Sequence, residues 1–154
     1  MSTRSSVRVQ EEAFDVAAVI DGLRAGNSAV GAIASFIGLV RDLNDGAPVV
    51  SMTLEHYPGM TEKALEAIVA EAKGRWDLID AVVVHRVGEL HPTDPIVLVA
   101  VASAHRSDAF QACEFIMDFL KTRAPFWKKE ENSQRARWVE SRTSDSRAAE
   151  RWKA

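Results

Sequence analysis

The spacing of apolar and polar residues divides the chain into short strands and amphipathic helices. Runs rich in β-branched residues predict strands, and apolar stripes of helical period predict helices. The predicted strands are residues 7–10, 29–40, 49–57, 81–87 and 96–103. The first predicted helix covers residues 11–26. The second is capped by Thr61, and its apolar stripe ends at Trp76. The third covers residues 108–123, with Phe110, Cys113, Met117 and Leu120 near one face. This mixture predicts an α+β domain.

Glycine and turn residues mark irregular points between these elements. The predicted strand at residues 29–40 contains Gly31 and Gly38, and we expect it to be buried and to approach neighbouring backbone closely at both glycines. The tripeptide Asn44-Asp45-Gly46 predicts a turn.

The C-terminal residues 141–154 are polar, with Trp152 as their only large apolar side chain. We expect them to be frayed or weakly helical. The chain contains no internal repeat and no linker. We therefore predict one domain over residues 1–140, followed by a tail at residues 141–154.

Composition sets limits on the class of protein. The chain has 154 residues, 47% hydrophobic and 27% charged, which fits one globular domain with an ordinary core. The net charge of −3 argues against a protein that coats nucleic acid or an anionic membrane, so any anion site must be local. The single cysteine, Cys113, fits a reducing compartment and a buried structural thiol. No apolar run approaches the ~20 residues of a membrane helix, and the N-terminus lacks a signal-peptide core, so we predict a cytoplasmic protein.

The segment from Lys121 to Glu130 places four cations around a Pro-Phe-Trp sequence, directly after an apolar helix. Pro125 cannot continue that helix, so Lys121 closes it while Lys128 and Lys129 lie on the segment that leaves it. Two lysines held close together repel, and partial desolvation lowers an ammonium pKa further, which suits proton transfer near neutral pH. Cations that simply answer the dipole at a helix C-terminus are an equally good interpretation of this spacing.

His105 and Arg106 lie between the last predicted strand and the last predicted helix. Backbone N–H groups at such a junction bind anions, Arg106 offers a fork suited to phosphate, and His105 titrates near neutral pH. Arg41 ends another predicted strand and is expected to point toward the same place. A hydrogen-bonded structural histidine and an exposed strand-end arginine are the alternative interpretations.

The remaining polar residues predict neither a metal site nor a bound cofactor. His56, His85 and His91 are scattered and lack the spacing of zinc ligands. The glycines match no phosphate-binding loop.

Four short motifs lie in order along the chain. They are Leu54-Glu-His-Tyr-Pro-Gly-Met-Thr-Glu-Lys63, Ser103-Ala-His-Arg106, Phe115-Ile-Met-Asp118 and Lys121-Thr-Arg-Ala-Pro-Phe-Trp-Lys128. Together they resemble the motifs of the catalytic (large) subunit of molybdopterin synthase, and the likeness runs from about Gly31 to Glu140.

The resemblance implies an α/β-hammerhead fold with an antiparallel-rich sheet and packed helices. It also implies a homodimer flanked by two small sulfur-carrier subunits, giving a heterotetramer. Each carrier has a ubiquitin-like fold and ends in a Gly-Gly thiocarboxylate. The implied reaction places two sulfurs on cyclic pyranopterin monophosphate (precursor Z), which forms the dithiolene of molybdopterin in molybdenum cofactor biosynthesis.

The resemblance further implies roles for individual residues. Lys121 and Lys128 match the family's catalytic lysines, for proton transfer and for stabilising negative charge. The implied substrate-binding positions are Val40, Arg41, His105, Arg106, Lys121, Lys128, Lys129 and Glu130. Phe36 and Met117 match positions near the pocket, although core packing explains them equally well.

The chain departs from the family pattern at two places. Leu39 stands where several relatives carry a basic residue, which leaves open whether that position contributes charge to phosphate binding or only backbone, together with Val40. The loop at residues 131–137 lacks the expected glycine, so its order is open.

Two other functions are alternatives. A non-catalytic scaffold that binds a ubiquitin-like carrier predicts damage at the lysines or at His105 and Arg106, and all of them are present. A nucleic-acid module would stack bases on Phe126 and Trp127 beside the cations. The net charge and the lack of a wider basic face argue against it.

Overall fold

A computed structural model describes residues 6–44, 47–48, 50–131, 136–139 and 143–153. Its helices are α1 (Val16–Arg24), α2 (Met60–Arg75), α3 (Arg106–Arg123) and α4 (Thr143–Glu150). Its strands are β1 (Val7–Gln10), β2 (Ala32–Leu39), β3 (Leu43–Asn44), β4 (Ala47–Pro48), β5 (Ser51–His56), β6 (Leu78–Arg86), β7 (Gly88–Leu90), β8 (Pro95–Ser103), β9 (Phe126–Glu131) and β10 (Ala136–Val139). Within these ranges, no helix has the length and apolar character needed to cross a membrane.

The larger sheet has the strand order β1-β6-β8-β2 and carries helices on both faces. Its central strands β6 and β8 are antiparallel and rich in valine, because strands covered on both faces need apolar residues at every position. Helix α1 covers one face around Leu23 and Leu98. Helices α2 and α3 cover the other face, where Leu65, Ile68 and Phe115 are fully buried. Each such side chain contributes about 1.5–3 kcal/mol, so this double layer holds the scaffold together. The predicted α+β class in a single domain is confirmed.

A second sheet, with the order β10-β9-β5-β7, lies beside the first. It covers a smaller core formed by Val40, Met52, Leu54, Val87 and Leu90, against which Phe126 packs. Strands β3 and β4 pair as a short antiparallel ladder through Asn44 and Ala47. The predicted turn residues Asp45 and Gly46 lie outside the described part of the chain.

The start of the chain differs from the sequence prediction. Helix α1 begins at Val16 rather than near residue 11, because Asp15 caps it: its carboxylate accepts a hydrogen bond of 3.1 Å from the Ala18 N–H. The residues just before Asp15 are thereby left outside the helix.

Among the described strands β2 has one neighbour, β8, so the prediction that it is buried is wrong. Its partner β8 lies on one side only, and Phe36 and Leu39 are 43% and 51% exposed. The close backbone approach predicted at Gly31 is confirmed, since a Cβ there would collide with the Ala104 carbonyl oxygen. At Gly38 the close neighbour is instead a side chain, with Val97 Cγ1 at 2.8 Å from an added Cβ.

Helix α3 buries most, but not all, of its predicted apolar face. Cys113, Met117 and Leu120 are buried, whereas Phe110 is 66% exposed. Burial, together with the charge of Glu114, raises the pKa of the Cys113 thiol to about 11, which keeps it protonated and unreactive. The predicted structural thiol is confirmed.

The described residues 143–153 of the C-terminal segment are packed, although the sequence predicts a frayed or weakly helical segment. Helix α4 lies against α3, and Ala149 is buried in the main core. The indole of Trp152 packs edge-on against Trp76 and Phe115, at 5.6 Å from each ring, and its Nε1–H donates to Asp118 Oδ2 at 2.6 Å. The aromatic contacts therefore order a segment whose polar composition predicted little structure. The division into residues 1–140 and 141–154 stays a prediction.

Candidate functional site

Helix α3 separates the predicted site residues into two groups at opposite ends of the larger sheet. His105 and Arg106 begin the helix where β8 ends, and Lys121 lies in its last turn. The helix has 18 residues and spans ~27 Å. It packs back along β8, so Lys121 returns to the end at which β8 begins.

Lys121 and Lys128 both lie near enough to the buried ring of His85 for their charges to act on it. Past Pro125 the chain enters β9, where the Phe126 ring stacks on His85 with centroids 3.8 Å apart and planes inclined by 17°. Side chains alternate along a strand, so Lys128 lies on the same face of β9 as Phe126. Burial is the main cause that lowers the pKa of His85 from 6.5 to about 3. The charges of Lys121, Lys128 and His56 contribute to this lowering, and the backbone hydrogen bond to Arg86 opposes it. Both lysine charges therefore act on one uncharged ring, and the roles assigned to the two lysines stay predictions.

Hydrogen bonds of the Thr61 hydroxyl hold the turn at Pro125. The Thr61 hydroxyl donates to the Pro125 carbonyl at 3.0 Å and accepts from the Tyr57 N–H at 3.0 Å. Thr61 is fully buried inside α2, so its predicted role as the helix cap is wrong. The cap is Gly59, whose φ of 85° suits only glycine and whose N–H donates to the Glu62 carboxylate at 3.3 Å. Thr61 instead ties α2, β5 and the start of β9 together.

Arg41 lies at the lysine end of the sheet. Strand β2 pairs antiparallel with β8, from Ala32 opposite Ser103 to Leu39 opposite Pro95. Arg41 follows Leu39 and is exposed, so the expectation that it lies beside His105 and Arg106 is wrong within one chain. The nine residues of β8 separate the two places by ~26 Å.

Val40 anchors the strand end that carries Arg41. Its side chain is buried in the smaller core, to which Phe126 also belongs. Its N–H donates to the Asp94 carbonyl at 3.0 Å, and its own carbonyl accepts from the Thr93 N–H at 2.8 Å. A substrate contact at Val40 would therefore use the second lone pair of its carbonyl or follow a change in these hydrogen bonds.

His105 and Arg106 form a separate exposed group at the N-terminus of α3. His105 has the extended backbone of a cap residue but makes no side-chain capping hydrogen bond. The turn that carries it is held by the Gly31 N–H, which donates to the Ser103 carbonyl at 3.0 Å. The helix N-terminus and Arg106 together suit a phosphate group.

The other predicted site residues occupy less direct positions. Lys129 lies on the opposite face of β9 from Lys128, together with the exposed Trp127. The side chain of Glu130 and most of the loop at residues 131–137 lie outside the described part of the chain. Met117 is buried and Phe36 is half-exposed at the sheet edge. Among the described residues, no three His, Cys, Asp or Glu side chains are grouped as metal ligands.

His85 and Thr61 are the residues that sequence reasoning missed. His85 has no second ligand at the spacing of a zinc site, so the sequence assigns it no role. Its position carries a different signal, since it follows Ala81 and Val83 at strand spacing and so shares their buried face. A polar residue on a buried face needs a hydrogen-bond partner and a reason to be there.

An open cavity of about 540 Å³ lies elsewhere, between α1 and strands β1 and β6. Arg8, Gln10 and Asp15 contribute its polar lining. None of the predicted site residues lines it, so it is distinct from the lysine group.

Comparison with known proteins gives consistent similarities. Residues 9–123 match the family model described as MoaE protein. The molybdopterin synthase catalytic subunit of Ralstonia nicotianae is 65% identical over 147 residues, covering 96% of this chain and 84% of that protein. The solved structure of the molybdopterin biosynthesis MoaE protein from Burkholderia ambifaria is 54% identical with a TM-score of 0.84, over 98% of this chain and 99% of the other. A complex of subunits 1 and 2 of the molybdopterin-converting factor from Helicobacter pylori shares the fold, with 18% identity and a TM-score of 0.74 over 89% and 92% of the two chains.

Proposed function

This chain belongs to the MoaE protein family, and from that premise we propose that it is the catalytic subunit of a molybdopterin synthase. The resemblance drawn from the four motifs is thereby confirmed. The reaction transfers two sulfurs from the thiocarboxylated C-terminus of a carrier subunit to precursor Z. The product is the dithiolene of molybdopterin.

The observation that carries this proposal is that the charges of Lys121 and Lys128 both act on His85, whose ring stacks on Phe126. Sulfur transfer brings an anionic thiocarboxylate to an anionic substrate, and negative charge develops on the intermediates. Two ammonium groups aimed at one place stabilise that charge, and they can deliver the protons needed when oxygen leaves. Both lysines are half-buried, which strengthens their electrostatic effect while leaving them accessible.

Substrate binding uses groups from both ends of the sheet. Arg41, Val40, Lys129 and Glu130 lie on segments at the lysine end, whereas His105 and Arg106 lie ~25 Å away in the same chain. One pterin phosphate cannot reach both places. A homodimer in which each copy lends its His105 and Arg106 to the lysines of the other copy resolves this separation.

The second partner is a small sulfur carrier. The Helicobacter pylori protein of the same fold is part of a complex of subunits 1 and 2 of the molybdopterin-converting factor. For this chain we propose a ubiquitin-like carrier whose Gly-Gly tail reaches the lysine group, giving a heterotetramer with the homodimer. A Gly-Gly tail is flexible and narrow, because glycine has no side chain. A cytoplasmic location suits this chemistry.

The test is a single-turnover assay with precursor Z and thiocarboxylated carrier, which reads molybdopterin formation. We expect product from the natural chain and none from Lys121→Ala, with the fold and carrier binding unchanged. Lys73→Ala is the matched control, because Lys73 is half-exposed on α2 and its ammonium lies 3.8 Å from Asp80 at the far end of β6. Near-normal turnover by Lys121→Ala contradicts the catalytic assignment.

Mixing two variants tests the shared site. Arg106→Ala should weaken substrate binding, so at low substrate concentration both it and Lys121→Ala are nearly inactive. In a mixed dimer, one of the two sites receives the intact Lys121 of one copy and the intact Arg106 of the other. Activity should therefore return on mixing, and a mixture as inactive as its components contradicts a site shared between copies.

A further inference from the structure

We propose that Thr93 is a positioning residue: the strained turn at residues 91–94 holds the backbone of Val40 and thereby sets where Arg41 meets the anionic substrate. The inference deepens the proposed function and rests on it, in that Arg41 is taken to bind the substrate.

Residues 91–94 form a tight turn in which a threonine occupies a position suited to glycine. The Asp94 N–H donates to the His91 carbonyl at 2.9 Å, which closes the turn. The His91 N–H donates to the Asp94 carboxylate at 2.9 Å, which braces it. Pro92 is the second residue and Thr93 the third, with a φ of 78°, as in a type II turn. A β-branched residue at positive φ is strained, and among the described residues Thr93 is the only one other than glycine with positive φ.

The left-handed conformation of Thr93 aims its N–H at Val40. This N–H donates to the Val40 carbonyl at 2.8 Å. A type I turn would relieve the strain, but it turns over the peptide that joins Pro92 to Thr93, and the N–H would then point away from Val40. The Thr93 side chain is exposed, so its burial does not offset the strain. The bond to Val40 therefore depends on the strained conformation.

Both backbone groups of Val40 are bonded to this turn. Its carbonyl accepts from Thr93, and its N–H donates to the Asp94 carbonyl at 3.0 Å. The Val40 side chain is buried in the smaller core, so the residue is held from two sides. Arg41 follows directly and is exposed. The direction in which Arg41 leaves the sheet is therefore set by the turn and by the core.

A β-bulge lies at the same place. In the register of β2 and β8, Gly38 is opposite Val97 but Leu39 is opposite Pro95. Ile96 is therefore an extra residue in β8. A bulge disrupts regular pairing and changes the direction of the side chains beyond it. Beyond this bulge, the two bonds from the turn take the place of the regular ladder.

The smaller core connects this arrangement to Lys128. Val40 and Leu54 both belong to that core. Leu54 is directly opposite Lys128 in the register of β5 and β9. A backbone shift at Val40 therefore changes the position of Arg41 relative to Lys128.

Two substitutions of Thr93 separate its conformation from its side chain. Thr93→Gly keeps the N–H and adopts positive φ without strain. Thr93→Pro removes the N–H and fixes φ at about −65°, so the bond to Val40 is lost. Gly26→Thr is the matched control, because it places a threonine at a φ of 72° in an exposed turn after α1.

The single-turnover assay at varied precursor Z separates substrate binding from the maximal rate. Thr93→Pro should raise the substrate concentration for half-maximal rate about 10-fold, because a charge-assisted bond from Arg41 to the substrate is lost. The maximal rate should stay within about twofold, because the lysines lie on other elements. Thr93→Gly should bind substrate normally and unfold thermally at the same or a higher temperature. Gly26→Thr should unfold at a lower temperature and bind substrate normally.

Combining Thr93→Pro with Arg41→Ala tests whether Thr93 acts through Arg41. In that background Thr93→Pro should cause little further rise, because the contact that it weakens is already absent. A further rise of about 10-fold in the double variant overturns the inference, and so does normal substrate binding by Thr93→Pro alone. A rise of similar size in Gly26→Thr would show that lost stability is enough to weaken binding, which also overturns it.

Amide hydrogen exchange gives a result that does not depend on turnover or on any variant. The N–H groups of Thr93 and Val40 should exchange at least about 10-fold more slowly than in an open chain, because both are hydrogen-bonded. Exchange of the Thr93 N–H at the rate of an open chain overturns the inference. A natural chain that makes no molybdopterin with its cognate carrier counts against the proposed function, whereas the exchange rates still decide whether the turn holds Val40.

Discussion

Replacing Thr61 by valine removes the hydroxyl that fixes the turn before β9 while keeping nearly the same shape. Thr61 has no exposed surface, and its hydroxyl is bonded at 3.0 Å both to the Pro125 carbonyl and to the Tyr57 N–H. Each lost hydrogen bond costs about 1 kcal/mol net, and a buried group left without a partner costs about 1–3 kcal/mol. Both hydrogen bonds are only part-buried, so the free energy of unfolding should fall by about 1–3 kcal/mol.

Urea denaturation of the natural chain and Thr61→Val measures this difference. Thr61→Ser keeps the hydroxyl and should lose only about 1 kcal/mol, for one buried methyl group. Thr122→Val is the matched control at an exposed helix position, where the hydroxyl bonds to Asp118 at 3.4 Å, and it should change stability by less than about 0.5 kcal/mol. A Thr61→Val protein as stable as Thr122→Val would show that the Pro125 turn is held by other contacts, and the reasoning would fail.

Two further predictions follow from the fold. Gly31→Ala should lower the free energy of unfolding by about 1–3 kcal/mol, because the new methyl group meets the Ala104 carbonyl. It should also weaken substrate binding through His105. Gly74→Ala is the control in the same denaturation and binding measurements, because a Cβ added at Gly74 meets open space. The free energy of unfolding should also fall as pH drops from 6.5 toward about 3, because unfolded His85 binds a proton in that range and folded His85 does not. His85→Phe should flatten this part of the stability–pH curve relative to the natural chain. Equal slopes for His85→Phe and the natural chain would mean that His85 is not buried in its neutral form.

The sequence correctly predicts the elements that are determined by the hydrophobic periodicity of neighbouring residues alone. The valine-rich runs of β6 and β8 and the helical stripe of α2 need only hydrophobic periodicity, and they lie where the sequence predicts them. The predicted start of α1 is wrong because the side chain of Asp15 caps the helix. The apolar residues of helical period extend beyond that cap toward the N-terminus, so they do not reveal it. The burial of β2 was wrong because no pattern within a strand reveals whether it has one neighbour or two.

The candidate site was predictable only where it is contiguous in sequence. Lys121, Pro125 and Lys128 lie within eight consecutive residues and could be grouped from their spacing. His85 and Thr61 reach the same place through contacts across the chain, the second over 64 positions of sequence. The position of Arg41 depends on the antiparallel pairing of β2 with β8. This pairing places the end of β2 beside the beginning of β8 and away from the end of β8.

The length of α3 fixes the distance between the two groups of predicted site residues at its ends. Sixteen residues separate His105 from Lys121, so the helix sets their distance at ~24 Å and their relative direction by its 3.6-residue turn. One inserted residue would leave a perfectly good helix, yet it would swing Lys121 by ~100° away from His85. If Lys121 and the N-terminus of α3 have the roles proposed for them, an insertion in α3 should abolish activity, whereas a surface loop absorbs an insertion of the same length without effect. Within the lineage of such chains, α3 should be the element whose length varies least, even where its sequence drifts.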